Sequence, residues 1–289
     1  MDRKICIITG ANSGIGKEAV IQILEKGYHV IMACRNEERG KEALNSVKSQ
    51  NLSFSAELML VDMGIQKSIR NFAKEVQKKY NRIDVLIHNA AIFNVTQKLQ
   101  EKTVENIETL WATNHLGPVL LTELLLDNLK ASDNGRVLTI SSQGLVAKPN
   151  LKIDLDDPEF NNKKFNVTKA YYQSKRAQVM YTYWLSDRLS DTNITVNSIR
   201  VTAVKIDISR HPDLSRFAKW LYSLKSKVSL TPQEMAETYT YLATSPEVKS
   251  ISGKYFNEKQ REVKSVKYTY DKENINHIMT LTKKYIIEL

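Results

Sequence analysis

The chain opens with a short apolar strand, a glycine-rich turn and then a helix. Few folds accept that order. Residues 4–9 read Lys-Ile-Cys-Ile-Ile-Thr, the turn is Gly10-Ala-Asn-Ser-Gly14-Ile-Gly16, and apolar residues then recur at helical spacing. Backbone amides and a helix N-terminus at such a turn can receive a pyrophosphate. The alternative is a tight turn that binds nothing. We expect a dinucleotide to contact Gly10, Asn12, Ser13, Gly14, Ile15 and Gly16.

Further apolar segments of strand length alternate with helical patterns along the chain. The predicted strands are residues 4–9, 28–34, 56–61, 83–88, 136–141, 195–199 and 254–256. This alternation predicts an α/β fold with a doubly wound (Rossmann-type) parallel sheet and helices on both faces. A chain of 289 residues can run as one such unit, so we expect a single domain over residues 1–289.

The second predicted strand ends in Arg35-Asn36, where many NAD-binding folds carry a carboxylate for the ribose 2′-hydroxyl. A guanidinium at this place can hold a 2′-phosphate with two hydrogen bonds. Lys17 adds a second positive charge nearby. For either cation, the alternative is a solvated surface side chain. The sequence thus favours NADP(H) over NAD, with Arg35 and Asn36 among the cofactor-binding residues.

Tyr171 and Lys175 stand four residues apart, which puts a phenol and an ammonium on one face of a helix. A neighbouring cation favours the phenolate, so we expect the lysine to lower the pKa of the tyrosine. The same Tyr-x-x-x-Lys spacing recurs at residues 255–259 and 268–272. The spacing alone therefore does not choose among the three pairs.

Short motifs follow one another along the chain: Thr9-Gly10-x-x-x-Gly14-Ile15-Gly16, Ala33-Cys34-Arg35-Asn36, Val61-Asp62-Met63, His88-Asn89-Ala90-Ala91, Asn114-His115-Leu116-Gly117, Ile140-Ser141-Ser142, Tyr171-x-x-x-Lys175 and Asn193-Ile-Thr-Val-Asn197. In this order and spacing they resemble the short-chain dehydrogenase/reductase family over most of the chain, nearest its retinol-dehydrogenase-like branch. The family's Tyr-x-x-x-Lys pair precedes the strand at 195–199, which selects Tyr171 and Lys175.

The resemblance implies catalytic roles for four residues. Tyr171 would be the general acid/base, Ser142 would hydrogen-bond the substrate oxygen, and Lys175 would assist the tyrosine and bind the nicotinamide ribose. Asn114 would hold a water in a proton relay behind that lysine, with a satisfied helix amide as the alternative. Adjacent residues at a strand end point opposite ways, and the family uses the second serine, so we expect Ser142 and not Ser141 to face the site.

Cofactor contacts are also implied after the third and fourth predicted strands. Asn89 and Ala90 would let the backbone pass close to the cofactor, and Asp62, with Met63 beside it, would contact the adenine. Asn89 or Asp62 could instead cap a helix or turn.

Two features depart from the usual family pattern. Residues 143–170 separate Ser142 from Tyr171, a longer interval than usual, although the retinol-dehydrogenase-like branch commonly carries such an insertion. Val201-Thr202 and Ile206 stand where the family has Pro-Gly and a threonine that contacts the nicotinamide amide. These replacements bear on cofactor geometry and turnover.

Two C-terminal segments carry weaker patterns. Residues 205–230 hold an apolar stripe, which predicts a lid over a lipophilic substrate; packing against the sheet and contact with a bilayer surface are the alternatives. Residues 257–289 form a charged extension for which we expect a packing role. It ends in an amphipathic helix whose inward residues would be Ile275, Ile278, Met279 and Tyr285.

Composition argues against several classes of protein. The formal net charge of +10 is spread among acidic residues and forms no aromatic-studded basic stripe, so we expect no nucleic-acid partner. Cys6 and Cys34 lie in predicted strands without metal-ligand spacing, which favours reduced thiols and no metal. No apolar run approaches the roughly 20 residues of a membrane span. We expect no transmembrane segment and a cytoplasmic protein, either a monomer or a homodimer.

Together these patterns predict an NADP-dependent oxidoreductase that transfers hydride between nicotinamide and a lipophilic carbonyl or alcohol. The alternative is an NADP-binding protein of the same fold with weak or no turnover, which acts through protein partners.

Overall fold

Seven parallel strands form one sheet at the centre of the molecule. The computed structural model describes residues 3–205 and 229–287, and the sheet has the order β3-β2-β1-β4-β5-β6-β7. The predicted doubly wound α/β fold is confirmed, and each predicted strand is present with its ends shifted by two residues at most. The strands are β1 (Ile5–Thr9), β2 (His29–Cys34), β3 (Ser55–Leu60), β4 (Val85–His88), β5 (Gly135–Ser142), β6 (Ile194–Val201) and β7 (Lys254–Phe256).

Helices cover both faces of the sheet. They are α1 (Gly14–Glu25), α2 (Glu37–Lys48), α3 (Gln66–Lys79), α4 (Thr109–Trp111), α5 (Gly117–Leu124), α6 (Leu126–Lys130), α7 (Val167–Arg188), α8 (Pro232–Thr244) and α9 (Lys272–Ile287). A π-helical turn, Ala112–Leu116, joins α4 to α5. None of the helices in the described part of the chain combines the length and the apolar character needed to cross a bilayer.

The strands are apolar on both sides because each side faces a layer of helices. In β1, Ile7 packs into a core cluster with residues of α3, α5 and α7. Its neighbours Cys6 and Ile8 point the opposite way and pack with residues of α1 and α8. One short strand therefore contributes to two cores.

The C-terminal helix α9 packs against α7 and the π-helical turn. Ile275, Ile278 and Met279 are buried, as their spacing predicts, and Tyr285 is partly buried. The last carbonyl groups of α9 are satisfied from α3: Gln66 Nε2 donates to Tyr285 O at 2.9 Å, and an arginine of α3 donates to the next carbonyl at 2.7 Å. The helix is thus held at its C-terminus as well as along its apolar face.

The carboxyl ends of the strands meet at one edge of the sheet, where open α/β sheets bind their ligands. Gly10, Arg35, Asn89 and Ser142 each lie at or just after such a strand end. Residues 206–228, which include Ile206 and most of the predicted lid at 205–230, lie outside the described residues.

Candidate active site

The turn between β1 and α1 uses backbone conformations that glycine adopts most readily. The φ angle is +65° at Gly10 and +54° at Gly14. A Cβ on Gly14 would meet no atom of the described residues within 4 Å, so the space around it is open. Ser13 is the N-cap of α1, and within the described part of the chain no side chain caps the first amides of this helix. Those N–H groups can bind an anion such as a pyrophosphate.

Asn89 orders the glycine turn from the end of β4. Its Nδ2 donates to Thr9 O at 3.0 Å and to Gly10 O at 3.1 Å, and its Oδ1 accepts from Tyr239 at 3.3 Å. A Cβ on Gly16 would lie 2.4 Å from Asn89 Nδ2 and 2.5 Å from Gly10 O. The contact between turn and strand therefore requires glycine at position 16.

A cleft of about 600 Å³ lies beside this turn. The residues predicted to bind the cofactor line it, apart from Gly14 and the pair Tyr171 and Lys175. The structure thus brings together the glycine turn and the ends of β2, β3 and β4. An open turn before a helix that no side chain of the described residues caps, with cations farther along the cleft, fits a phosphorylated dinucleotide.

Arg35 and Arg39 are the cations that line the cleft. Arg35 is exposed, and its Nη1 lies 4.0 Å from Asp62 Oδ2. Lys17 does not line the cleft; its Nζ donates to Ser46 Oγ on α2 at 2.8 Å. Arg39 is the second cation of the cleft, and the sequence did not predict it. Its position in the first turn of α2, four residues after Arg35, was the available signal.

Asn36 and Asp62 line the same cleft but also make local bonds to the backbone. Asn36 Oδ1 accepts from Arg39 N at 2.9 Å and so caps α2. Asp62 Oδ1 accepts from Gly64 N at 2.8 Å. The capping role considered for Asp62 is therefore present, and one oxygen of each side chain is already in use.

Ser142 and Tyr171 meet at the carboxyl end of β5. The Ser142 hydroxyl faces the Tyr171 phenol and by itself favours a lower pKa of that phenol. Ser141 is buried and points the other way, where its Oγ donates to Lys175 O at 3.4 Å. The alternation of side chains along β5 thus brings one serine to the tyrosine and the other to the helix backbone.

Lys175 lies one turn after Tyr171, and its charge is directed elsewhere. Lys175 Nζ donates to Ile140 O at 2.9 Å and lies 5.9 Å from the centre of the Tyr171 ring. Burial lowers the pKa of Lys175 to about 8. Burial also raises the pKa of Tyr171 to about 12, against the opposing effect of the nearby Ser142 hydroxyl. The expectation that the lysine lowers the tyrosine pKa is wrong here, because desolvation of the phenol dominates.

Asn114 lies in the π-helical turn and joins three segments. Its Oδ1 accepts from Ile92 N at 2.9 Å, and its Nδ2 donates to Ile92 O at 3.1 Å and to Ser174 Oγ at 3.2 Å. The side chain therefore matches the satisfied amide considered as the alternative. Because Ser174 precedes Lys175, these bonds lie directly beside the catalytic pair; the water relay stays a prediction.

The insertion at residues 143–170 is fixed to α7 on both sides of Lys175. Gln173 Oε1 accepts from Asp154 N at 3.1 Å, and Gln173 Nε2 donates to Pro158 O at 2.9 Å. Arg176 Nη2 donates to Lys148 O at 2.8 Å. The residues before and after the Ser174-Lys175 pair thus hold the inserted chain.

Two contacts at this end of the site were not predictable from the sequence. The Phe93 ring stacks on Tyr171, with ring centres 4.0 Å apart and planes 16° apart. Thr202 Oγ1 donates to Gln143 Oε1, which joins the exits of β6 and β5 where the family's Pro-Gly would stand. Both contacts connect loops that are far apart in the sequence.

The two competing Tyr-x-x-x-Lys pairs lie elsewhere. Tyr255 is a buried residue of β7, and its hydroxyl donates to Ser141 Oγ at 3.3 Å. Tyr268 lies in the 3-10 turn Lys267–Tyr270. Among these three tyrosines of the described chain, it is the pKa of Tyr171 that the Ser142 hydroxyl affects.

Comparison with known proteins agrees with this arrangement. Residues 4–152 match the family model described as short chain dehydrogenase. Retinol dehydrogenase 13 of Mus musculus is 36% identical over 257 residues, which cover 88% of this chain and 75% of that protein. Retinol dehydrogenase 14 of Homo sapiens is 36% identical over 277 residues, which cover 91% of this chain and 80% of that protein.

Solved structures share the fold at lower identity. An uncharacterized protein from Mycobacterium paratuberculosis aligns with a TM-score of 0.73 and 24% identity, over 98% of this chain and 93% of that one. A short chain dehydrogenase from Shigella flexneri, complexed with NADP, aligns with a TM-score of 0.67 and 20% identity, over 90% of this chain and 98% of that one. The fold, the family model and the relatives together show that this chain belongs to the short-chain dehydrogenase/reductase family of oxidoreductases, whose fold binds a nicotinamide cofactor, and to its retinol-dehydrogenase-like branch.

Proposed function

We propose that this chain is an NADP-dependent oxidoreductase that acts on a lipophilic carbonyl or alcohol, with Tyr171 as the general acid/base. The observation that carries the proposal is that the Ser142 hydroxyl faces the Tyr171 phenol at the carboxyl edge of the sheet, with Lys175 one helical turn after the tyrosine. A bound nicotinamide would supply or accept the hydride.

The protonation states favour carbonyl reduction near pH 7. With its pKa raised to about 12 by burial, Tyr171 holds its proton and can donate it to a carbonyl oxygen. Ser142 can hydrogen-bond the same oxygen. Lys175, with its pKa lowered to about 8 by burial, is mostly cationic at pH 7, and in this proposal it binds the nicotinamide ribose. Asn114 would support the lysine through the water relay.

Two exposed guanidinium groups support NADP over NAD. Arg35 and Arg39 line the cleft beyond the glycine turn, and a guanidinium binds a phosphate bidentately. In this proposal the backbone of residues 10–16 receives the pyrophosphate, Asp62 and Met63 flank the adenine, and Asn89 and Ala90 let the chain pass close to the nucleotide.

Apolar surface close to the tyrosine supports a lipophilic substrate. Phe93 stacks on Tyr171 and is 39% exposed, and Val95 on the same loop is exposed. The relatives named retinol dehydrogenase act, by that name, on a lipophilic alcohol. We therefore expect apolar carbonyl compounds to be reduced faster than short polar ones.

The experiment is a panel of aliphatic and aromatic ketones and aldehydes, offered to the full chain with NADPH or NADH while the loss of reduced-nicotinamide absorbance is followed. We expect kcat/KM to be at least about tenfold higher with NADPH. A preference for NADH would contradict the roles of Arg35 and Arg39. NADPH binding without turnover of any compound would support the alternative, a nucleotide-binding protein that acts through protein partners.

The proposal also includes a cytoplasmic location and a monomeric or homodimeric state. Light scattering on the purified chain tests the oligomer, and cell fractionation tests the location. Recovery of the protein with membranes would contradict the proposed location.

A further inference from the structure

The C-terminal helix α9 places one hydroxyl inside the molecule beside the catalytic helix. Thr282 is fully buried, and its Oγ1 lies 2.7 Å from His115 Nε2. His115 is also fully buried, in the π-helical turn, and its Nδ1 lies 3.3 Å from Gln178 Nε2 on α7. Three side chains thus form a polar chain from α9 through the π-helical turn to α7.

The hydrogen-bond partners of these three side chains determine which atoms carry the protons. Thr282 has one hydroxyl proton, and it donates that proton to Ile278 O at 2.7 Å. His115 Nε2 must therefore carry the proton of the bond to Thr282. Burial lowers the pKa of His115 to about 3, so the ring is neutral and Nδ1 is an acceptor.

The amide of Gln178 agrees with this tautomer. Gln178 Nε2 faces both His115 Nδ1 and the His115 carbonyl oxygen, each at 3.3 Å. Both of these atoms are acceptors, so the amide must present its N–H₂ group and not its oxygen. Hydrogen bonds therefore run in one direction, from Gln178 to His115, then to Thr282 and finally to the α9 backbone.

This series of hydrogen-bonded side chains reaches the candidate site from two helical segments, α7 and the π-helical turn. Gln178 lies one turn after Lys175 on α7. His115 follows Asn114, whose amide is bonded to Ile92 and to Ser174. π-helical turns are rare, so one that persists in a structure needs contacts that favour it over regular α-helix. The direction of the Asn114 side chain depends on that turn.

We propose that Thr282 and His115 are positioning residues: with Gln178 they hold the π-helical turn, and through it Asn114, in the arrangement that presents Lys175 and Tyr171 to the substrate. The inference rests on the proposed function and extends it to the C-terminal helix. Helix α9 thus fixes the geometry of the site through the π-helical turn, in addition to packing against α7.

Substitution of Thr282 tests the proposal. Thr282→Val keeps the shape and removes the acceptor, so kcat should fall about tenfold while KM for NADPH and for the carbonyl stays within about twofold. Thr282→Ser restores the hydroxyl and should restore kcat to within about twofold of the unchanged protein. An undiminished kcat in Thr282→Val, or a serine variant as slow as the valine variant, would overturn the proposal.

Thr238→Val is the matched control. Thr238 is fully buried on α8, where its Oγ1 donates to Glu258 O at 3.3 Å, and α8 packs on the opposite face of the sheet. This variant also loses a buried hydroxyl, but kcat should remain within about twofold of the unchanged protein. An equal loss of kcat in both valine variants would mean that general destabilisation, and not positioning, is the cause.

Two measurements do not need turnover and so separate this inference from the proposed function. Nitrogen-15 NMR of the imidazole should show His115 as the neutral Nε2–H tautomer at pH 7. Amide hydrogen exchange in residues 112–116 should accelerate at least about tenfold in Thr282→Val but not in Thr238→Val. An Nδ1–H tautomer, an imidazolium or unchanged exchange would contradict the polar chain, even if no substrate of the protein were found.

Discussion

The candidate site has two ends, the nucleotide cleft and the catalytic group of Ser142, Tyr171 and Lys175, and they use positive charge in opposite ways. At the nucleotide end the side chain of Arg35 is 69% exposed, and Arg39 is exposed as well. At the catalytic end Lys175 is only 3% exposed, and burial lowers its pKa to about 8. An exposed guanidinium keeps its charge and attracts an anion, although salt screens it. A buried ammonium is close to losing its proton, which suits proton transfer but destabilises the fold.

The contacts that hold the residues of the two ends in place also differ. The nucleotide end is shaped by backbone groups and by amides that bond to them, such as Asn36 and Asn89. The catalytic end depends on buried side chains that contact each other across distant segments, such as Asn114 and Ser174. Substitutions at the first end should change binding, whereas substitutions at the second should change rate and stability.

Replacement of Tyr171 by phenylalanine should have the largest effect. The phenol is the only group of the site assigned to proton donation, so kcat should fall by about 10²- to 10⁴-fold. The stack with Phe93 is kept, and the NADPH dissociation constant, measured by fluorescence titration, should not change. Tyr172→Phe, one residue along the same helix, is the control and should keep kcat within about threefold. Retention of more than a tenth of the activity in Tyr171→Phe would refute the acid/base role.

Removal of the exposed cations should have the next largest effect. Arg35→Ala and Arg39→Ala should each weaken NADPH binding about 10- to 100-fold, because each removes a charge-assisted bond to phosphate, and should leave NADH binding unchanged. The loss should shrink as salt is raised. Lys17→Ala is the control, because Lys17 Nζ bonds to Ser46 and not to the nucleotide in this arrangement. A Lys17 variant as weak as the arginine variants would contradict that arrangement.

Lys175→Met should abolish activity yet stabilise the fold at pH 7. The folded pKa is lowered from 10.5 to about 8, so the unfolded chain binds the extra proton between these values. The destabilisation is therefore complete below pH 8 and is relieved as pH rises toward 10.5. The shift corresponds to about 3 kcal/mol, and loss of the bond to Ile140 O offsets about 1 to 2 kcal/mol.

Urea unfolding at two pH values measures this balance. Lys175→Met should raise the free energy of unfolding by about 1 to 2 kcal/mol at pH 7, and the gain should be smaller at pH 9.5. Arg35→Met, at the exposed end, should show no such difference between the two pH values. If the Lys175 variant were less stable than the unchanged protein at pH 7, the buried ammonium would not be a destabilising charge.

The features that the sequence predicted are local ones. The parallel sheet follows from apolar segments that alternate with helical patterns, the turn at residues 10–16 from glycines between a strand and a helix, and the choice of Ser142 over Ser141 from the family resemblance together with side-chain alternation. The features that it did not predict depend on which distant groups meet. Lys17 bonds to a residue on another helix, and the pKa of Tyr171 follows burial that only the packed structure defines.

Substitution of Asn36 should give the smallest effect. It distinguishes helix capping from phosphate binding at the nucleotide end. Asn36→Ala removes the cap on α2 and should lower the free energy of unfolding by about 1 kcal/mol, with NADPH affinity changed less than about threefold. Asn36→Asp keeps an oxygen that can cap the helix, so stability should be retained. Its carboxylate would lie beside Arg35 and repel the 2′-phosphate, so NADPH affinity should fall about tenfold while NADH affinity does not. If the alanine variant lost NADPH affinity as strongly as the aspartate variant, Asn36 would bind the phosphate directly, and the nucleotide end of the site would depend on side-chain contacts as the catalytic end does.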